Sequence, residues 1–345
     1  MVVEQLAPEA AAEWDAFVDG RADATWYHRR AWQDVAQRAY GLSAPFLIAR
    51  DAPGGPAAGV LPLFVVRNPR GGYSTTGLFG AYGCVLARSQ EAGRALLDEA
   101  RAITRAKRLR FFTHKSLGDD EPSARDLVRH DDFVIAVLSL EGGEDAVWSA
   151  FRSEIRNRIR KAERSGLVVR DGPQELDGYY DVLAENMHRK GTPIYGMPLM
   201  RELVRSFAGD AEILTLEKDG RTVSGALVVY DKKTTYVPFV SSRASTFQLN
   251  PNNLLYWEII KRSCRRGVTL LDFGRSPKDS SNLEFKLRWG ASTLPQPFYM
   301  YAPRGDPPRM NARDPAVQRL VRLWQRLPRT LADALGPAIC RSFLA

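Results

Sequence analysis

"EILTLEKDGRTVSGALVVYDKKTTYVPFVSS" (residues 212–242) holds three short runs rich in β-branched and aromatic residues. "EILTLE" (212–217), "VSGALVVYD" (223–231) and "TTYVPFVSS" (234–242) read as strands, and the polar turn "KDG" joins the first two. A helix near 198–208 precedes them. A helix near 252–266, "NNLLYWEIIKRSCRRG", and the strand "TLLDFG" (269–274) follow. The element order is therefore helix, strands, then strand–helix–strand.

The same order occurs upstream. A helix near 29–39 leads to "FLIAR" (46–50), and the turn "DAPGGP" leads to "AGVLPLFVV" (58–66). After a glycine-rich stretch, a helix near 90–107 leads to "LRFFTH" (109–114). Phe46 to Val60 spans 14 positions and Ile213 to Ala226 spans 13, while Gly59 to Phe112 spans 53 and Gly225 to Phe273 spans 48. Matched order and spacing with slight identity predicts two copies of one α/β unit. Their sheets are expected to be mixed and flanked by helices. The domains are read as 1–145 and 146–302, with a basic helical tail over 303–345.

"FRSEIRNRIRKAERSG" (151–166) opens the second copy with arginines at 152, 156, 160 and 164. Residues four apart share a helix face. Phe151, Ile155, Ile159 and Ala162 make a narrow apolar stripe, and the arginine row borders it. Gly166 ends the helix where a left-handed cap is wanted, and "LVVR" reads as the next strand. Two readings stand for the row. One is a solvated basic face. The other is a phosphate site, with Arg156 and Arg160 binding a nucleic acid or a pyrophosphate-linked substrate.

The 345 residues leave room for two domains. With 44% apolar and 26% charged residues, the chain reads as globular and not disordered. A net charge of +9 favours an anionic partner such as RNA, phosphorylated sugars or an acidic membrane face. Cys84, Cys264 and Cys340 are scattered and odd in number, which fits a reducing cytosol and no disulfide framework. His28, His114, His130 and His188 form no metal-ligand pattern, and no HExxH, GxSxG or Walker-type loop is present. No metal is expected. "MVVEQLAPEAAAEWD" lacks the apolar core of a signal peptide, and no apolar run approaches the ~18 residues of a membrane span. The expected location is the cytoplasm, with peripheral contact at the inner face of the membrane as an option.

Helix, antiparallel strands and strand–helix–strand is the order of the GNAT acyltransferase fold. Over most of its length the chain resembles the FemAB-type transferases, which carry two GNAT-like domains and join amino acids from aminoacyl-tRNA to peptidoglycan precursors. "RNRIRKAERSGLVV" (156–169), "HRKGTPIYG" (188–196) and "LLDFGRSPKDSSNLEFKLRWGAS" (270–292) carry the resemblance, more strongly in the second half. "WQRLPRTLADALGP" (324–337) is similar to the C-terminal pattern of the FemAB-like subgroup associated with exosortase/PEP-CTERM and exopolysaccharide gene clusters. Two departures matter. The long coiled-coil arm linked to tRNA binding in some members is missing. The glycine-rich loop that holds pyrophosphate in acetyl-CoA-using GNAT domains is replaced by "SSRASTFQLNPNN" (241–253), which contains no glycine and weakens acyl-CoA as donor.

The resemblance implies that Phe285 and Lys286 in "LEFKLRWG" (283–290) form a Phe–Lys pair, with the lysine beside the reacting carbonyl. Aminolysis of an ester passes through a tetrahedral oxyanion, and a fixed ammonium in a dry cleft stabilises that charge by about 2.7–4 kcal/mol. The alternative is a surface lysine at a strand edge. In "DFGRS" (272–276), Asp272 and Arg275 lie where the strand opens into a loop. Arg275 either grips a carboxylate or phosphate, or pairs with Asp272. In "MHRKGTPIYG" (187–196), the resemblance sets Arg189 against the acceptor's phosphates. Tyr195 either stacks on a ring or closes the core, and His188 reads as a local hydrogen-bond partner. Tyr236 faces the site in the family pattern, or is a core tyrosine. Asn252 and Asn253 read as helix caps. The tail over 304–345 carries eight arginines against three aspartates. In it "VQRLVRLWQRLP" (317–328) either docks on the core or touches an anionic membrane.

The expected function is transfer of an aminoacyl group, from aminoacyl-tRNA, to an amine of a phosphorylated or lipid-linked cell-wall or exopolysaccharide precursor. No cofactor beyond the acyl co-substrate is expected. One alternative is an acyl-CoA-dependent N-acyltransferase acting on a sugar amine. The other is a non-enzymatic basic RNA-binding protein.

Overall fold

The structure is a computed structural model describing residues 1–69, 71–80, 82–118, 127–308 and 314–344. The chain falls into two compact units. One is Met1–Val134 with Pro295–Met310 and Arg341–Ala345; the other is Ile135–Leu294 with Asn311–Cys340.

The first unit runs β1 (Val2–Gln5), α1 (Ala11–Asp19), α2 (Ala31–Tyr40), β2 (Leu47–Arg50), β3 (Ala57–Leu61), β4 (Phe64–Val66), β5 (Tyr73–Thr75), β6 (Leu86–Ala87), α3 (Gln90–Ala106), β7 (Phe112–Lys115) and β8 (Val128–His130). The second holds β9 (Phe133–Ser139), α4 (Gly143–Ala150), α5 (Ser153–Glu163), β10 (Val168–Asp171), α6 (Leu176–Arg189), α7 (Met197–Ser206), β11 (Ala211–Lys218), β12 (Arg221–Asp231), β13 (Thr234–Ser242), α8 (Pro251–Arg265), β14 (Leu270–Pro277), α9 (Ser281–Arg288) and β15 (Ser292–Pro295). Strand β16 (Phe298–Tyr301) returns to the first unit, and α10 (Pro315–Arg326) and α11 (Arg329–Cys340) pack on α6 of the second.

In the first unit, β1-β2-β3-β6 make a four-stranded sheet and β4-β5-β7-β16-β8 a five-stranded one. The run "AGVLPLFVV" does not stay one strand. It breaks around Pro62, which has no N–H to give a ladder, and its two pieces join different sheets. The second unit has one sheet, in the order β10-β11-β12-β13-β14-β9-β15. The border between units lies at 134/135 rather than 145/146, because β9 belongs to this sheet between β14 and β15. Residues 298–301 leave the second unit because β16 pairs with β7 and β8.

The three strands of 212–242 form the antiparallel centre of that sheet. Helices α5 and α8 pack together over one core, where Ile155, Ile159 and Ala162 meet Leu214, Leu254, Ile259 and Trp289. Helix α6 packs on β12 and β13. Helix α5 begins at Ser153, so Phe151 lies outside it and instead caps the end of α4. Its ring is still buried with the stripe. Gly166 takes the expected left-handed conformation, φ 73°.

Candidate active site

Strands β13 and β14 run parallel and pair over three positions, Thr234–Leu270, Thr235–Leu271 and Tyr236–Asp272. Beyond them β13 stays with β12 as far as Ser242, while β14 runs on to Pro277. The ladder thus opens at the carboxyl ends of two parallel strands, where α/β sheets place their sites.

Gly274 shapes this opening. Its φ is +78°, and its N–H donates to Asp272 Oδ1 at 2.5 Å. Consecutive carbonyls of a regular strand point to opposite sides. The left-handed residue breaks that alternation, and the carbonyls of Gly274 and Arg275 both accept from Lys286 Nζ, at 2.7 and 3.3 Å. The strand does not open into a loop at 272–276, as the sequence suggests; it continues to Pro277 around this irregularity.

Lys286 comes from α9, which Ser280 caps by accepting from Leu283 N at 3.2 Å. The strand-edge alternative for this lysine is therefore excluded: it sits on a helix and is 3% exposed. Its neighbour Phe285 packs against Tyr256 and Trp289, with ring centres 5.8 and 6.2 Å away. Phe285 ties the helix to the core, and that holds the lysine inward. Burial pulls the Lys286 pKa from 10.5 to about 8; Asp272 opposes this shift and Lys190 adds to it. An ammonium has three N–H donors. Two are committed to carbonyls, and the third has no acceptor among the described residues.

Tyr236 and Asp272 are both buried, at 4% and 2% exposure, side by side across the last ladder pair. Tyr195 packs on Phe239 with ring centres 5.2 Å apart. Burial pushes its phenol well above the usual tyrosine range, Cys340 adds to this and Arg275 opposes it. Its hydroxyl therefore stays protonated at neutral pH. Arg189 is exposed at the end of α6, donates to Asn186 Oδ1 at 2.9 Å, and lies 5.6 Å from the Phe247 ring centre. His188 Nε2 donates to the carbonyl of Leu327 at 3.0 Å, so it is a hydrogen-bond partner as expected, but to the distant tail and not to a local group.

Lys286, Asp272, Tyr236, Arg275 and Tyr195 are thus linked by register or by charge, and Lys190 with Arg189 adjoins them. No described interaction joins Arg156 or Arg160 to this group. Arg156 donates to the carbonyls of Trp148 and Ser149, at 3.4 and 3.2 Å, and to that of Phe151. It sits as a cation at the C-terminal end of α4, where the helix dipole favours one. Arg160 lies over the Trp148 ring, 5.4 Å from its centre.

Asn252 and Asn253 are not caps. The helix starts at Pro251 after Asn250, whose φ is +54°. Asn252 Oδ1 accepts from Ser242 Oγ at 2.6 Å, and Asn253 is buried. The glycine-free segment before them winds into a 3-10 turn over Ala244–Leu249. The N–H groups of Thr246 and Asn250 are bonded within it, to the carbonyls of Arg243 and Phe247. Arg243 turns inward to Asp181 and Glu185, a network that "SSRAS" does not announce. Sequence reasoning also misses Lys190; "HRKG" puts it beside Arg189, but only the fold brings it near Lys286. Among the described residues no three His, Cys, Asp or Glu side chains gather as a metal site, and no helix is long and apolar enough to cross a membrane.

Residues 149–287 match the family described as an acetyltransferase (GNAT) domain. No curated protein sequence matches the chain. Among solved structures, the chain is similar to FemX at 16% identity and TM-score 0.64, over 94% of this chain and 100% of that one. It is similar to a tandem GNAT protein from the clavulanic acid biosynthesis pathway at 12% identity and TM-score 0.59, over 89% and 99%. It is similar to L-PGS from Bacillus licheniformis at 11% identity and TM-score 0.58, over 95% and 100%. The fold is GNAT-like, with mixed sheets flanked by helices and a helical C-terminal tail.

Proposed function

We propose that this GNAT-fold protein is an N-acyltransferase of the FemAB type, moving an aminoacyl group from aminoacyl-tRNA to an amine on a cell-wall or exopolysaccharide precursor. The buried Lys286 ammonium at the mouth of the open ladder, with one N–H uncommitted, carries this reading. The acceptor's neutral amine attacks the ester carbonyl carbon and a C–N bond forms. The carbonyl electron pair moves to oxygen, where the third Lys286 N–H meets the oxyanion. Collapse breaks the ester C–O bond. The released ribose hydroxyl takes up the proton that the nitrogen loses, leaving an amide. Phe285 seats α9, Tyr236 and Asp272 border the reacting groups, and Arg275, Arg189 and Tyr195 hold the acceptor's phosphates and ring. Arg160 is free to add a phosphate contact at the margin, whereas Arg156 serves the end of α4.

The internally bonded turn over 244–249 supports aminoacyl-tRNA over acyl-CoA, because the N–H groups of Thr246 and Asn250 are already used. The match to an acetyltransferase domain favours the second reading, acyl-CoA as donor to a sugar amine. Leu320, Leu323, Leu331 and Leu335 are exposed on α10 and α11 beside Arg319, Arg322 and Arg326. They support reversible contact with an anionic membrane that carries a lipid-linked acceptor.

The test offers purified protein a mixed aminoacyl-tRNA pool or acetyl-CoA, each with an extract of cell-wall precursors. Enzyme-dependent loss of aminoacyl ester is the expected result. Release of CoA thiol with the tRNA ester untouched rejects the donor.

A further inference from the structure

The turn from α3 into β7, "KRLR" (107–110), and the segment after β16 enclose an open cleft of about 570 Å³ within the first unit. Arg105, Arg108, Arg110 and Arg304 line it, with Asp306 as the one carboxylate among the described lining residues. All four arginines are exposed. Arg105 is braced by Tyr301, donating to its hydroxyl at 3.0 Å. Among the described residues Arg108, Arg110 and Arg304 have no ion-pair partner.

A second observation concerns the backbone. Helices α2, α5, α6, α8 and α9 are each followed by a glycine with positive φ: Gly41, Gly166, Gly191, Gly267 and Gly290. Helix α3 is followed instead by Arg108, at φ +55°, and the next residue, Leu109, donates back to the carbonyl of Thr104 at 2.9 Å. An L-residue is strained in this position and glycine is not. A side chain kept there against the backbone preference points to a use for that side chain.

We propose that this cleft is a landing site for the phosphodiester backbone of RNA. The choice of RNA rests on the aminoacyl-tRNA reading; the phosphate chemistry does not. Exposed, unpaired guanidiniums spread along an open cleft suit a repeating phosphate chain, whose contacts position without reading sequence. A compact diphosphate would call for buried, preset donors. A lipid surface would call for exposed apolar residues, and the cleft's Leu109 is buried.

The experiment measures binding of labelled, uncharged tRNA to the full chain by fluorescence anisotropy across a salt series. Wild type is expected to bind more weakly as salt rises. Arg108→Gln with Arg110→Gln and Arg304→Gln should weaken binding at least about tenfold at low salt and flatten the log–log salt slope by roughly one for each phosphate no longer neutralised. Arg108→Gly alone should also weaken binding while melting at or up to about 2–4 °C above wild type, because its backbone strain is relieved. Wild type that fails to bind tRNA, variants that bind it like wild type, or inorganic pyrophosphate bound as tightly as tRNA would each overturn the site. Consumption of aminoacyl-tRNA by a folded triple variant at the wild-type rate removes the cleft and leaves the proposed donor. Use of acyl-CoA alone, with tRNA still held through these arginines, removes the donor and leaves the cleft.

Discussion

Lys286 holds a charge that its surroundings disfavour. A pKa drawn from 10.5 to about 8 means the unfolded chain binds the extra proton between those values. Stability should therefore rise with pH from about 8 to 10.5, and the burial of the ammonium costs about 3 kcal/mol below that window. Activity runs the other way, since an oxyanion needs the protonated lysine. The rate should fall above pH 8. Lys286→Met is expected to lower kcat by about 10²-fold or more and to abolish this alkaline limb. Little loss of melting temperature should follow, because removing the buried charge offsets the missing hydrogen bonds to the two carbonyls. A pH–rate profile and a thermal melt check it; an unchanged profile removes the lysine from the chemistry. At this scale the sequence is partly legible. The apolar residues around Lys286 in "LEFKLRWG" mark it out without any view of its burial. Arg156 is not legible, because its partners are carbonyls at the end of α4, a helix that the four-residue arginine rhythm conceals.

At the scale of elements, Gly274 joins strand to site. Its missing Cβ would lie 3.5 Å from the Val237 carbonyl, an ordinary approach. The cost of Gly274→Ala is therefore backbone strain, about 1–2 kcal/mol for a left-handed L-residue. Relief of that strain turns the Gly274 or Arg275 carbonyl away from Lys286, so turnover should drop by about tenfold or more, as when a preset donor to an oxyanion is removed. Melting and turnover measured together test the link; reduced stability with full turnover breaks it. The strands over 212–242 and 269–274 are legible as β-rich runs bounded by turns, but the order of their sheet is not, because β9 enters it between β14 and β15 through pairing across a long stretch of chain. Pro62 shows where such reading fails. Hydrophobicity continues through it, but the ladder cannot, and the division into two sheets depends on pairing between distant segments. Likewise "SNLEFKLR" is helical through its Ser280 cap and its packing on Trp289, which outweigh the reading of Lys286 at a strand edge.

At the scale of the whole chain, the charge excess gathers in places with different neighbours. On α10, Leu320 and Leu323 are 66% and 59% exposed, with arginines at 319, 322 and 326. Basic residues near an anionic surface contribute about 1 kcal/mol each. Flotation with phosphatidylglycerol vesicles should recover the protein, and neutral phosphatidylcholine vesicles should not. Leu320→Ser with Leu323→Ser should cut recovery severalfold without changing the melt, since both side chains are solvent-facing in the fold. Equal recovery of the variant would show that these leucines do not touch the membrane. Net charge predicts an anionic partner; only the exposed side of a half-docked helix separates a membrane surface from the arginines of the first unit.

Strand β16 has a consequence for synthesis. It lies between β7 and β8, and β8 has no other neighbour in the order of its sheet. A nascent chain that has emerged only as far as residue 294 already carries the seven-stranded sheet almost complete, while the earlier-made β7 and β8 still lack the strand that joins them. On the ribosome the sheet of the later-encoded unit can therefore pair before that of the earlier-encoded one, whose β7 and β8 are bridged only after residue 301 leaves the tunnel.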